Sequence, residues 1–501
     1  MGYSIDKYRI LCLLLLFLLS SYMIIRAYDS RGTGWDLLSR YLDGRTLASS
    51  YFYSHLGLFS RKVPVESYFL GLDWKSDVTP GLTVSDGFYF DDGWEPLPSV
   101  LIALFIVILG GFALQAYLVF LVAFLIACSC LAARKLDVDP LLLASIIIGP
   151  YAIGFTILYN GGEALAMGFG LLALAYAAGR DYKAGALAGL VGLAKYGGLI
   201  VSPVLFLLGS RKVVLKALLL ELLVTLPWLL FNFLLFGNPL QGYAIQIAEI
   251  QPQHAGMFSF FSTLGAVLWY PLALVAIGAL AIAYLGGKKA QKRGLVGWWP
   301  ALWRNRRMRM IAVFLLLSVL GFLFVFRNAQ GPIRLAYLVY LGVAVIAAVG
   351  LSVDGLGRLR MKVGGRYYRL GRLIPYLVFI TTLVLLVAMY ANWMWIGSSP
   401  LGSLGFKSPE YASAVAALQA HNLTGCRIVS NGWPYMNLYN VTAYAPYQCN
   451  STIERLPIVI FNNTGVTDYC SGSLGNLTNV SERFDYPNFS IVMPDNYTCV
   501  R

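Results

Sequence analysis

A chain of 501 residues that is 58% hydrophobic and only 12% charged cannot cover a water-facing surface, since soluble proteins carry charge on about a quarter of their residues. That excludes a soluble globular protein. The formal net charge of +14 does not mark a nucleic-acid binder, because the basic residues gather in short stretches between apolar runs: GSRKVVLK, GGKKAQKRGLVGWWPALWRNRRMR and GRLRMKVGGRYYRLGR. Such a distribution is that of cytoplasmic loops in a multi-pass membrane protein. A minor role in binding anionic lipid also fits the second and third stretches.

Apolar runs suited to crossing a hydrocarbon layer of about 30 Å fall near 10–26, 112–132, 140–158, 162–179, 184–196, 197–208, 213–235, 262–285, 310–326, 334–352 and 373–396. No small-x-small cleavage site follows the first, so it reads as a retained helix. The pair at 184–208 is short, as a broken or re-entrant helix pair would be. PSVLIALFIVILGG, at 98–111, is apolar but short and glycine-ended, and is expected to lie embedded in the outer leaflet. The fold class that results is a polytopic α-helical membrane protein of about 11 transmembrane helices with a small α/β extracytoplasmic C-terminal domain. The expected location is the plasma membrane, with the N-terminus cytoplasmic. Residues 1–400 form the membrane domain and 401–501 the outer domain.

Two outer regions stand out. Residues 28–97 form a long external loop, acidic and aromatic in SYFLGLDWKSD and DGFYFDDGWEPLPS; a loop of that length is usually functional. In the tail, EYASAVAALQAHN reads as a helix, and CRIVSN, LPIVIFNN and FSIVMP read as strands. Glycosylation sequons occur at Asn422, Asn440, Asn450, Asn462, Asn476, Asn479, Asn488 and Asn496, and none precedes residue 400, which suits a sugar-coated outer surface. Cys426, Cys449, Cys470 and Cys499 suit two disulfides in an oxidising compartment, with three connectivities open.

Four places carry residues suited to chemistry. In GWDLLSRYLDGRTL, Asp36, Arg40 and Asp43 share one face of a helix expected to lie on the outer membrane surface. Asp36 and Arg40 suit an ordinary i,i+4 ion pair. Asp36, beside Trp35 and close to the bilayer, also suits a general base. In YFDDGWEPLPS, Asp91, Asp92 and Glu95 form a carboxylate cluster that suits either a solvated helix start or a site for substrate hydroxyls or a divalent cation. No cofactor is required by the pattern. Glu163 stands at the outer mouth of a span, and Lys195 interrupts an apolar run, where a lone lysine is costly and usually functional. In FRNAQGPIRLAYL, Arg327 and Arg334 lie at outer helix ends and suit bidentate binding of phosphate. His254, in EIQPQHAGMF, reads first as a solvated or structural residue and second as a site-lining one.

These regions in this order resemble the membrane-embedded C-type (GT-C) glycosyltransferases that use polyprenyl-phosphate sugars, nearest the protein O-mannosyltransferase and aminoarabinose-transferase branch and its archaeal relatives. Asp36 in GWDLLSRYLDG matches the acid that follows their first helix. WEPLPSVL looks like their proline-containing surface helix, GLAKYGGLIVSPVLFLL is similar to their run ending in lysine, and IRLAYL at Arg334 is similar to their late basic motif. The usual Asp-Glu pair is here Asp36-Leu37, which leaves the neighbour's role to Asp91, Asp92 or Glu95. No Trp-Trp-Asp-x-Gly run occurs in the tail, which speaks against an oligosaccharyltransferase.

The resemblance implies transfer of a sugar, by inversion, from a polyprenyl (dolichyl) phosphate to a glycan, lipid or protein acceptor at the outer face. Asp36 would be the base, and Lys195 and Arg334, with Arg327, would hold the phosphate. A transporter or flippase of lipid-linked or small polar substrates is the rival reading; it predicts charge pairs near the membrane midplane and a repeated half. A receptor or scaffold would leave the acids of 28–97 without chemical consequence.

Overall fold

The computed structural model describes residues 6–31, 95–236, 306–328, 336–352, 366–395, 409–423 and 480–495 continuously. It also describes the strands 62–64, 82–85, 88–91, 360–363, 428–430, 443–444 and 458–461, and scattered positions including 37, 40, 41, 44, 267–274, 426 and 499. Among the described residues four helical runs are long and apolar enough to cross a membrane: Lys7–Asp29, Pro96–Leu136, Arg211–Leu230 and Leu373–Ala391. Pro140–Ile147 and Ala152–Leu158, bent by 56°, make a fifth if they are one span. The remaining apolar helices, Gly162–Ala178, Ala184–Ala194, Arg309–Gly321 and Ala336–Ser352, are shorter than that test requires. The expected span 262–285 lies largely outside the described residues.

The chain is a membrane protein. Helix α1 (Lys7–Arg31) exposes Leu11, Leu14, Leu15 and Leu18. The helix Arg211–Phe236 exposes Leu215, Leu219, Leu222, Leu223, Leu226 and Leu230. A continuous apolar surface of this kind needs hydrocarbon around it.

Residues 96–136 do not run straight. Helix α2 (Pro96–Leu109) ends at Gly110, whose φ of 54° and ψ of −121° suit only glycine without strain. Helix α3 (Ala113–Leu136) turns back beside it, so that Phe105 lies 5.6 Å from Phe120 and 6.0 Å from Tyr117 between ring centroids. A straight helix would hold residues 105 and 120 about 22 Å apart. Helix α2 is about 21 Å long, too short to cross the hydrocarbon.

The expected single helix 140–158 is instead helix α4 (Pro140–Ile147) followed by a π-helix (Ala152–Asn160), bent through the Gly149-Pro150 step, since proline cannot continue the hydrogen-bond ladder. Asp139 caps α4 by accepting from the backbone N–H groups of Leu141 and Leu142, and it pairs with Arg9 at 2.7 Å. Lys135 meets Asp181 at 3.6 Å. The start of α1, the end of α3 and the turn after helix α5 (Gly162–Ala178) are therefore held together at one end of the bundle.

Helix α6 (Ala184–Ala194) and a 3₁₀ helix (Tyr196–Leu208) pack antiparallel rather than end to end. A Cβ on Gly198 would overlap Val191, seven positions back. Helix α7 (Arg211–Phe236) lies against α6 at backbone distance: a Cβ on Gly185 would overlap the Ala217 carbonyl, and one on Gly189 would stand 3.0 Å from the Glu221 carbonyl. Small residues that let backbones approach are the usual adhesive between membrane helices. The Ser202 hydroxyl donates to the Glu221 carboxylate across the same contact. Helices α8 (Arg306–Asn328), α9 (Ala336–Ser352) and α10 (Leu370–Trp395) complete the described bundle.

Between α1 and α2 the region expected to be an irregular loop contains a three-stranded antiparallel sheet. Its strands are β1 (Lys62–Pro64), β2 (Leu82–Ser85) and β3 (Phe88–Asp91), in the order β1-β3-β2. Ser85 pairs with Phe88 across Asp86-Gly87, a dipeptide favoured in two-residue hairpins. A second hairpin, β4 (Arg360–Val363) and β5 (Arg366–Arg369), leads directly into α10.

In the tail, helix α11 (Pro409–Ala420) packs on a five-stranded mixed sheet. The strands are β6 (Ile428–Ser430), β7 (Ala443–Tyr444), β8 (Ile458–Phe461), β9 (Val480–Asp485) and β10 (Phe489–Pro494), in the order β7-β6-β8-β10-β9. Tyr411 of α11 meets Phe461 at 4.5 Å, and β10 is buried along its whole length. Cys426 is bonded to Cys499. Cys449 and Cys470 lie outside the described residues, as do Asn440, Asn450, Asn462, Asn476, Asn479 and Asn496. Asn422 follows α11 with a φ of 55°, and Asn488 sits in the turn before β10.

Candidate functional site

The site is built on a helix break. Lys195 stops α6 with an extended backbone (φ −157°, ψ 117°), and its N–H donates to the Val191 carbonyl at 2.8 Å. Gly198 N–H donates back to the Lys195 carbonyl at 2.8 Å, which closes the turn into the 3₁₀ helix. Lys195 is thus at the tip of a helical hairpin, and it is 6% exposed.

Glu95 approaches this tip from the start of α2. It occupies the capping position, but its carboxylate makes no capping bond and turns inward. Pro96 follows at the first helical position, where its missing N–H costs nothing. Oε2 of Glu95 accepts from Nη2 of Arg40 at 2.6 Å. Oε1 accepts from the Tyr196 backbone N–H at 3.1 Å and stands 3.8 Å from Nζ of Lys195. The side chains of Arg40 and Glu95 are both 0% exposed. Burial alone would raise the pKa of Glu95. The charges of Lys195 and Arg40 and the Arg40 hydrogen bond outweigh it and hold the carboxyl at about 2, against an ordinary 4.5.

Two glycines allow close packing around this cluster, and the second makes room for the guanidinium. Gly161 has a φ of +70°, and a Cβ there would meet Leu37 at 2.8 Å and Tyr117 at 3.3 Å. A Cβ on Gly162 would stand 3.0 Å from Cζ of Arg40 and 2.9 Å from the Ala194 carbonyl. Glu163 follows in the first turn of α5, 4% exposed. Tyr151 and Tyr337, also buried, stand within electrostatic reach of it.

The structure thus joins Glu95, Lys195 and Arg40, and places Glu163 beside them through Gly162. Arg40, expected on an upward-facing polar stripe, points into the core, as does Leu37; Asp36 and Asp43, the other members of that stripe, lie outside the described residues. Glu95 is the inner partner of two cations rather than an open member of an acidic patch. Asp91 lies in β3 and Arg327 in α8, with only their backbone placement described. Asp36, Asp92, His254 and Arg334 lie outside the described residues. Among the described residues no group of three His, Cys, Asp or Glu side chains could hold a metal ion. Sequence reasoning missed the roles of Arg40, Tyr196 and the Gly161-Gly162 pair. The NGGE run was the available signal for the last of these.

No protein-family model and no curated protein matches this sequence. Among solved structures the chain is similar to the crystal structure of ArnT from Cupriavidus metallidurans bound to undecaprenyl phosphate. The identity is 12% and the TM-score 0.54, over 96% of this chain and 97% of that one. It is also similar to the cryo-EM structure of the arabinofuranosyltransferase AftD from Mycobacteria, at 13% identity and a TM-score of 0.46, over 92% of this chain and 35% of that one. The likeness to ArnT extends over nearly all of both chains and shows that the two share a fold.

Proposed function

We propose that the protein is an integral-membrane glycosyltransferase that moves a sugar from a polyprenyl phosphate to an acceptor at the outer membrane face. The observation that carries this reading is the buried Arg40–Glu95–Lys195 cluster at the tip of a helical hairpin. It holds a lysine at a fixed place in a fold shared with a structure bound to undecaprenyl phosphate. An ion cluster costs several kcal/mol of desolvation and is a weak source of stability, so a role for the charge accounts for it better than packing does.

The prenyl tail of the donor stays in the hydrocarbon and its phosphosugar reaches the lysine. An acceptor oxygen attacks the anomeric carbon from the face opposite the phosphate. The bond between that carbon and the phosphate oxygen breaks, and polyprenyl phosphate leaves with the electron pair. Lys195, with Arg334 and Arg327, stabilises the charge growing on the leaving phosphate. Asp36 takes the acceptor proton. Glu95 is not the base, since a carboxylate held at about 2 beneath two cations is a poor proton acceptor. Asp91, Asp92, Glu163 and His254 would line the acceptor side, where a divalent cation could also bind.

On the same reading residues 1–400 carry the chemistry in the plasma membrane. Residues 401–501 form a glycosylated outer domain, in which Cys449 pairs with Cys470. The resemblance to the O-mannosyltransferase branch favours a dolichyl donor and a mannose-like hexose, and the motifs themselves do not identify the sugar. Incubating the purified protein with a panel of polyprenyl-phosphate sugars tests the proposal: transfer from at least one is expected, and transfer from none would remove it.

A further inference from the structure

We infer that Tyr196 and Trp228 form a latch that positions Lys195 from helix α7, an inference that rests on the phosphate role proposed for Lys195. Tyr196 is 3% exposed and is held at both ends. Its backbone N–H is taken by Glu95, and its hydroxyl accepts from Nε1 of Trp228 at 3.0 Å. The direction is fixed, because an indole N–H can only donate. Trp228 is 8% exposed on a helix whose leucines otherwise face lipid, and it directly follows Pro227, which interrupts the α7 ladder.

The consequence concerns Lys195 itself. Its backbone is extended and leaves the helical ladder on the side of Tyr196. The residue after the break is anchored at two points. Glu95 anchors the backbone of that residue and Trp228 anchors its side chain. Two elements far apart in sequence, α2 and α7, therefore set one lysine. Tyr196 and Trp228 are positioning residues: the latch orients the ammonium without touching the sugar. Ser202 to Glu221, a second hydrogen bond between the hairpin and α7, lies further down both elements.

Steady-state kinetics of the reconstituted full-length protein, with the polyprenyl-phosphate sugar as the varied substrate, and hydrogen exchange of the peptide spanning 195–198 test this together. Tyr196→Phe keeps the ring and Trp228→Phe keeps an aromatic side chain, and each removes the hydrogen bond. Each is expected to raise the donor KM about two- to tenfold, the worth of one such bond, with kcat little changed. The double variant is expected to be no worse than the worse single one. Exchange at the tip is expected to rise in both single variants and no further in the double. Unchanged exchange at 195–198 overturns the latch whatever the activity shows. So does faster exchange with an unchanged donor KM, or effects that multiply in the double variant. A parental protein that transfers from no polyprenyl-phosphate sugar would instead sink the underlying reading, and the exchange measurement still decides the latch.

Discussion

Arg40 and Glu95 stand 55 positions apart in the chain and meet at 2.6 Å with neither side chain exposed to solvent. The contact ties the segment after the first helix to the start of α2. Because Lys195 approaches the same carboxylate, it also ties both to the hairpin tip. Removing the carboxylate charge would leave two cations facing each other in a dry place. Glu95→Gln is therefore expected to cost about 3–5 kcal/mol of stability, read as a lowered melting temperature in detergent. Replacing Arg40, Glu95 and Lys195 together by Met, Leu and Met is expected to recover most of that loss without recovering activity. Glu95→Gln melting with the parent would show that the cluster is not closed in solution.

The same carboxyl sets a pH dependence. Its pKa is depressed from 4.5 to about 2 in the folded protein, so the folded state binds its proton more weakly than the unfolded chain does. Its contribution is present in full above pH 4.5 and is lost as the pH falls from there through about 2. An acid titration of melting temperature is expected to show this loss in the parent and not in Glu95→Gln. Parallel curves for the two proteins would contradict the assignment.

Glycine positions give a graded test of the packing. Gly162→Ala would press a methyl group against the Arg40 guanidinium and the Ala194 carbonyl, and Gly185→Ala would drive one into the Ala217 carbonyl. Both are expected to destabilise by a few kcal/mol. Gly111→Ala, with nothing within 4 Å of its Cβ position, is the control and is expected to be close to neutral. Equal expression and melting of all three would argue against these close approaches.

The readable part of this fold was the apolar segmentation. The break at 184–208 showed in the shortness of its two halves, and Lys195 stood out because it is a charge in an apolar run. The bend at Gly149-Pro150 was present in the sequence but is masked by the continuous hydrophobicity of 140–158. The pairing of Arg40 was not legible. Local periodicity offered Asp36 as its partner at i,i+4, a local choice that outweighs any distant one when only sequence is read. Glu95 was visible as one acid among three, and nothing in the spacing showed that its side chain turns inward to two cations. Nothing in the spacing could join Tyr196 to Trp228.

The tail offers a separate test. Cys426 bonded to Cys499 excludes two of the three connectivities open to four cysteines. The loop it closes spans 73 positions, for which chain entropy contributes about 4 kcal/mol. Non-reducing peptide mapping is expected to recover the 426–499 pair, and Cys426→Ser is expected to lower the stability of the tail. A 426–449 or 426–470 peptide would contradict it.

Asp36 is the proposed base, and Asn keeps its size while losing the ability to take a proton at neutral pH. Asp36→Asn is expected to lose roughly 10²–10⁴-fold in turnover while donor binding persists. Asp43→Asn serves as the control and is expected to lose far less. An Asp36→Asn protein as active as the parent would move the base elsewhere, first to Asp91 or Asp92.

The most direct measurement follows both halves of the donor. Reconstituted protein is given a polyprenyl-phosphate sugar labelled in the sugar and in the phosphate, with an acceptor mixture. The expected result is sugar appearing on the acceptor in step with free polyprenyl phosphate, and a loss of about 10²-fold in Lys195→Ala with the melting temperature recorded alongside. Recovery of the donor intact, on either side of the bilayer, or parental turnover by a folded Lys195→Ala protein, would contradict the account.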